Sequence, residues 1–364
     1  MLIKKERLMI VKRSLLVEER HEKQPKWQPC WIGYVAVIWS VLYGALHLYW
    51  LLGGAGYPFK NERVLVAPMV THLPERVSSI VFVIFCLMGI GIGLAMQKTV
   101  KSVWLKWLIC TYAWGGAIAL LLFVPDANLI AAMAYAFLLK FYFSWQMINQ
   151  IICIIGALLW MMAVVVYQRK TRSACEYCGR KKDGETFFLV RWGRLLTVIA
   201  ALAPVPYAIT RFAWALNIPL GVDAQFLKKF SEINPMAHMT DWLFGSLCIG
   251  GGLLTIGLIQ KWGEIFPSWF PFIGGRRVPI MLAVIPASIV AIAVAAAGVV
   301  FTFNILVVTL HLVPSDDLLS SQIWGTEGPM IFWLPWGITL GLAAIAYYYR
   351  RRGRCFRCGR EDNM

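Results

Sequence analysis

Four cysteines carry the pattern with the most definite chemistry in this chain. They form two Cys-x-x-Cys-Gly segments, Cys175/Cys178 in "YQRKTRSACEYCGR" and Cys355/Cys358 in "YYYRRRGRCFRCGR". The two-residue spacer lets both thiolates of a pair face one ion, and the glycine permits the tight turn that aims backbone N–H groups at sulfur. Two such knuckles supply the four ligands of a structural zinc. The centre would carry a net charge of about −2, opposed by Arg172, Arg180, Lys181, Arg354, Arg357 and Arg360. The unusual feature is distance, because paired knuckles usually stand ~15–20 residues apart and these are separated by most of half the chain. A cycling dithiol and plain free thiols are the competing readings. Against the dithiol, the intervening residues Glu176-Tyr177 and Phe356-Arg357 do not resemble a thioredoxin-type centre, and no strand–helix context surrounds them. Cys30, Cys86, Cys110, Cys153 and Cys248 lack paired spacing and read as small core residues.

Two His/acid pairs, His72/Glu75 in "THLPE" and His238/Asp241 in "AHMTD", are spaced three apart, so each pair shares a helix face. Together they are a secondary candidate for a metal or proton site. The competing reading is helix-start chemistry, an acid set near the positive end of the helix dipole. His47 and Arg211 form a third candidate set, each three residues before a tryptophan inside an apolar run. An ionisable group within a membrane span is expensive unless it pairs, snorkels or faces water. A substrate cavity holding Arg211 and His47, with Asp126, Asp223 or Asp241 as protein partners for Arg211, is one expectation; simple snorkelling of Arg211 and packing of His47 is the other. No nucleotide-binding glycine loop and no hydrolase or zinc-protease signature is present.

The elements that must position these residues are apolar. Of 364 residues 59% are hydrophobic and 15% charged, with 17 Trp, more apolar surface than a soluble core of this size requires. Eight runs approach the ~20 residues that cross a bilayer: Trp31–Leu52, Ser79–Met96, Val103–Val124, Trp145–Tyr167, Leu195–Leu216, Trp242–Gln260, Ile280–Phe303 and Met330–Tyr349. A further stretch, Leu129–Phe143, is interrupted by Lys140 and reads as an interfacial or re-entrant segment or a ninth span. With eight spans and a cytoplasmic N-terminus, the inside segments hold 28 Lys/Arg against 10 Asp/Glu, and the outside segments 6 against 9. This positive-inside asymmetry accounts for the net charge of +16 without a nucleic-acid partner and makes anionic lipid the partner of the inner face. It also places both termini in the cytoplasm.

The spans themselves repeat. "YGALHLYW" ending at Trp50 corresponds to "YAITRFAW" ending at Trp214, the His/acid pairs follow at nearly the same offset, and the knuckles close both halves. The offset grows from 164 to 180 residues because the loop Lys261–Pro279 is 14 residues longer than Lys98–Ser102. The expected fold is therefore an all-α polytopic bundle of about eight spans in two parallel four-helix repeats. Its organisation reads as a basic cytoplasmic segment (1–29), a first repeat ending in a knuckle (30–178), a linker (179–189), a second repeat ending in a knuckle (190–358) and a tail (359–364). The fourth and eighth spans are expected near the axis relating the halves, so that their ends bring the knuckles together. The loop at 261–279, with Trp262, Phe266, Trp269 and Phe270 among prolines, reads as lying on the inner leaflet.

"GALHLYWLLGGAGYPF", "VPYAITRFAWALNIPLG" and "GEIFPSWFPFIGGRRVP" together resemble a group of multi-pass membrane proteins of Gram-positive bacteria without an assigned activity. The resemblance touches both halves and implies a plasma-membrane location, but no reaction. Three functions stay open: a transporter-like protein for a small or lipid-like solute, a non-transporting scaffold or immunity-type protein, and a membrane thiol redox protein. Enzymatic activity is not indicated by any motif.

Overall fold

The computed structural model describes residues 31–59, 73–98, 100, 102–125, 128–129, 132, 143–175, 177–180, 188–233, 236–310 and 322–361. The basic N-terminal segment, His72, Asp126, most of Leu129–Phe143 and most of the linker lie outside them.

All named elements among the described residues are helical. They are α1 (Trp31–Leu51), α2 (Glu75–Gln97), α3 (Val103–Leu122), α4 (Trp145–Thr171), α5 (Leu189–Leu202), α6 (Val205–Ala215), α7 (Ala224–Ile233), α8 (Ala237–Ile256), α9 (Ile280–Thr309) and α10 (Trp333–Arg351). A 3₁₀ turn at Gly328–Phe332 leads into α10. Eight helical units are long and apolar enough to cross a membrane, and all eight expected spans are among them.

The fifth span departs from expectation. It is broken at Ala203-Pro204 into α5 and α6. Pro204 and Pro206 lack the N–H groups that would bond back to Ala200 and Leu202, and each ring crowds the carbonyl it fails to reach. The short α7 was not evident from the apolar runs; it packs Phe226 and Leu227 against Trp214 and Val222 outside the main bundle.

Two hydrophobic clusters form the interior. One draws on α1 to α4, with Trp39, Tyr43, Phe82 and Trp160 among its largest side chains. The other draws on α5, α6, α8, α9 and α10 around Tyr207, Phe301, Trp333 and Trp336. The pairings within them correspond: α1 packs on α2 and α4, and α3 on α4, while α5/α6 packs on α8 and α10, and α9 on α10. Small residues set the last contact. A Cβ on Gly298 would stand 2.3 Å from Leu334 N, and one on Gly337 2.5 Å from Ala291 O, the close backbone approach that membrane helices use in place of a hydrophobic drive. Between the clusters α3 meets α9, and Ile292 of α9 packs into the first cluster.

Candidate metal centre

Each knuckle begins where a span ends. The last turn of α4 carries Arg169 and Lys170, and that of α10 carries Arg350 and Arg351, cations that suit the negative end of a helix dipole. The chain then makes the same turn twice. Cys175 N–H donates to Arg180 O at 3.0 Å and Gly179 N–H to Cys175 O at 2.7 Å; Cys355 N–H donates to Arg360 O at 3.0 Å and Gly359 N–H to Cys355 O at 2.8 Å. The closing glycines adopt φ of 75° and 70°, the left-handed region that costs other residues about 1–2 kcal/mol.

The two turns face each other. The four sulfurs of Cys175, Cys178, Cys355 and Cys358 lie within 4.8 Å of one another, with Cys178 Sγ and Cys358 Sγ 3.5 Å apart. A tetrahedral thiolate site with metal–sulfur distances of ~2.3 Å has edges of about 3.8 Å, whereas a disulfide requires ~2.05 Å. The spacing therefore fits four ligands around one ion, and all described cysteines are free.

Reciprocal arginine contacts hold the arrangement. Arg180 Nη1 donates to Arg360 O at 2.6 Å, and Arg360 Nη1 donates to Arg180 O at 2.9 Å. Arg180 Nη2 also donates to Gly353 O at 2.9 Å, and its side chain is buried at 6% exposure. Arg352 Nη1 donates to Cys178 O at 2.6 Å, Arg169 Nη1 to Tyr177 O at 2.7 Å, and the rings of Tyr177 and Phe356 meet edge-on at 4.6 Å. Arg169 and Arg352 were not among the arginines expected to offset the centre. They sit closer to the spans and reach back to the knuckle carbonyls.

Burial opposes a charge on the thiols, and the knuckle turns work against it unevenly. At Cys355 burial is outweighed by the N–H groups of Cys358 and Arg357, which bring its pKa down to about 7. At Cys175 burial is likewise outweighed by the N–H groups of Cys178 and Tyr177, and the pKa is lowered. At Cys178 burial prevails with help from the neighbouring thiols, and the pKa is pushed up to about 12. The first cysteine of each knuckle is thus the one whose thiolate is eased, one on each side of the sulfur cluster.

Replacing the knuckle glycines should grade the damage. A Cβ on Gly359 has room, its nearest neighbour being Arg354 Nη2 at 3.8 Å, while one on Gly179 meets Arg169 Nε at 2.9 Å. Gly359→Ala should weaken metal retention about ten-fold, the equivalent of ~1.4 kcal/mol of backbone strain. Gly179→Ala should lose more, because the Arg169 contact to Tyr177 O is displaced as well. Competition with a chelator measures both.

The other candidates are placed differently. Arg211 Nη1 donates to Asp241 Oδ1 at 2.9 Å, and its guanidinium stands over the rings of Tyr207 and Trp214 at 4.8 and 5.0 Å. Asp241, offered by sequence both to a secondary metal site and to Arg211, is thus engaged by Arg211. His238 and Glu75 are described, but His72 is not, and among the described residues the four cysteines are the one group with the geometry for a metal. His47 is fully buried at 0% exposure. It stacks on Phe82 at 4.4 Å and meets Tyr43 and Trp50 edge-on; neither ring nitrogen has a hydrogen-bond partner. Neither His47 nor Arg211 lines the 770 Å³ cavity formed by α8, α9, α10 and the loop before α9, or the 180 Å³ cavity between α2 and α3.

The chain matches no family model, no curated protein and no solved structure. The geometry defines an all-helical, multi-pass membrane protein with a cluster of four thiols able to bind a metal.

Proposed function

We propose that this is a plasma-membrane protein of two parallel four-helix repeats, clamped at their cytoplasmic ends by one structural zinc and built to handle a lipid-like solute. The observation that carries the clamp is the convergence of four sulfurs to within 4.8 Å from knuckles at the ends of the fourth and eighth spans. Thiolates are soft ligands suited to zinc, which takes four of them in closed structural sites. The corresponding helix pairings in the two halves and the reciprocal Arg180 and Arg360 contacts support the repeat. The excess of Lys and Arg on segments flanking the knuckles supports a cytoplasmic location for them.

A specific observation also favours a non-transporting scaffold. His47 and Arg211, the ionisable groups within spans best suited to a solute, are packed against rings and, for Arg211, already balanced by Asp241. Solute handling therefore draws its support from the apolar cavity rather than from these two residues.

Metal analysis of the full-length protein, purified without chelator, tests the clamp. About one zinc per chain is expected, with the four knuckle thiols protected from maleimide until the metal is stripped. A metal-free protein whose knuckle thiols all react at once excludes the clamp and opens the redox reading.

A further inference from the structure

The cavity formed by α8, α9, α10 and the loop before α9, 770 Å³, lies within the ~300–1,000 Å³ range of ligand sites. Buried Leu258, Trp336 and Leu340 form its floor. Its wall along α9 runs from the start of the helix to Val290, about 15 Å at the helical rise. That depth is half of a ~30 Å hydrocarbon core, the thickness of one leaflet. At the mouth, Leu254 and Leu282 are 71% and 56% exposed. Both stand on spanning helices, where an exposed leucine meets acyl chains rather than water, so the cavity is accessible from the side of the bundle. Thr255 Oγ1, the hydroxyl on its wall, is already given to Gly251 O at 2.8 Å, so the site makes little polar demand on an occupant.

The loop that roofs this cavity is fixed to the helix leading into the second knuckle. Tyr347 Oη donates to Gly263 O at 2.6 Å and Arg351 Nη1 to Val278 O at 3.1 Å. The single acid of the loop, Glu264, pairs with Arg350 Nη2 at 3.0 Å. That pair leaves the remaining charges of the loop, Lys261, Arg276 and Arg277, all positive and all exposed, with no ion-pair partner among the described residues. Lys261 and Arg277 directly adjoin the lining residues Trp262 and Val278, which puts cations on the rim of an apolar slot.

We propose that this cavity is a binding site for one anionic phospholipid, its acyl chain in the slot and its phosphate met by Lys261, Arg276 and Arg277. The inference rests on the lipid-handling reading above and adds the site and the headgroup class. An acyl chain is the apolar body that a laterally open slot of one-leaflet depth meets in a membrane. The cations select for net negative charge, because in an anionic lipid the phosphate's charge is left for guanidinium to meet by charge-assisted hydrogen bonds, whereas in a zwitterionic one the headgroup's own cation offsets it and is repelled by the arginines.

Native mass spectrometry of the full-length protein in detergent, titrated with phosphatidylglycerol or with zwitterionic phosphatidylcholine of the same chains, tests this. One phosphatidylglycerol should be retained at a concentration at least ten-fold lower than phosphatidylcholine. Arg276→Gln/Arg277→Gln, on exposed residues, should abolish the preference and keep weak binding of both lipids. Ala287→Trp, filling the slot, should remove the bound lipid; Leu282→Trp at the mouth should do the same without disturbing the core. Equal retention of the two lipids by the natural protein, or undiminished retention when Leu282→Trp blocks the mouth, overturns the proposal. Zinc mass is read in the same spectra. A zinc-loaded protein that takes no lipid sinks the lipid site alone, and a zinc-free one that takes it sinks the clamp alone.

Discussion

Cys175→Ser and Cys355→Ser should each release the metal and lower the thermal midpoint sharply, and the double variant should lose little more than either single one. The reason is that the four thiolates act as one unit. Structural zinc sites with thiolate ligands contribute on the order of 10 kcal/mol of binding free energy at neutral pH, and a serine hydroxyl does not supply the charge or the softness of the lost ligand. The sulfurs come from knuckles 180 residues apart, so in the proposed clamp the free energy of metal binding would hold distant parts of the chain together. Zinc content and calorimetry on the single and double variants measure the non-additivity. Independent, additive losses with zinc still at about one per chain would show that the cysteines are ordinary packing residues. Arg180→Met should show a smaller version of the same effect, since its guanidinium crosses from one knuckle to backbone carbonyls of the other, and zinc should partly compensate for its loss.

The knuckles were legible because their chemistry is written in residue type and spacing, and length and composition were enough to place the spans. The meeting of the two knuckles was legible too; the helix packing between the two clusters was not. The fourth and eighth spans were expected near the axis between them, and their ends do converge at the cysteines, but among the described residues the most extensive helix packing between the two clusters is α3 on α9. In a membrane helix the lipid-facing and partner-facing sides are both apolar, so the pattern that reveals a buried face in a soluble protein is nearly blank. The small residues of α9, including Ala291, Ala295 and Gly298, mark its partner face only once α10 is seen against it. The break at Pro204 was available from the residue alone but was hidden within an apolar run long enough to span unbroken. The aromatic and basic composition of the loop before α9 is plain in the sequence, while its roofing of a cavity depends on Tyr347, Arg350 and Arg351, more than 60 residues away.

On the proposed repeat, His47 and Arg211 stand at one corresponding position that is treated in two ways, and this yields the second large expectation. At His47 the first half packs a ring among Tyr43, Trp50 and Phe82. At Arg211 the second half places a guanidinium over Tyr207 and Trp214 and joins it to Asp241, tying α6 to α8. Asp241 is buried at 3% exposure, so Arg211→Met should strand a carboxylate in an apolar surrounding and destabilise the protein by about 3–5 kcal/mol. Asp241→Leu should strand the guanidinium, with a loss moderated by the two rings, which attract a cation by ~0.5–2 kcal/mol each. The double variant Arg211→Met/Asp241→Leu should recover most of the stability, because the larger part of each single loss is the unpaired charge left behind. Thermal unfolding of all four proteins in one detergent measures the coupling. A double variant as unstable as the sum of the singles would mean that the two groups are not partners. In that case Arg211 returns as the candidate contact for an anionic solute, and a vesicle uptake assay with the Arg211→Met protein becomes the decisive comparison.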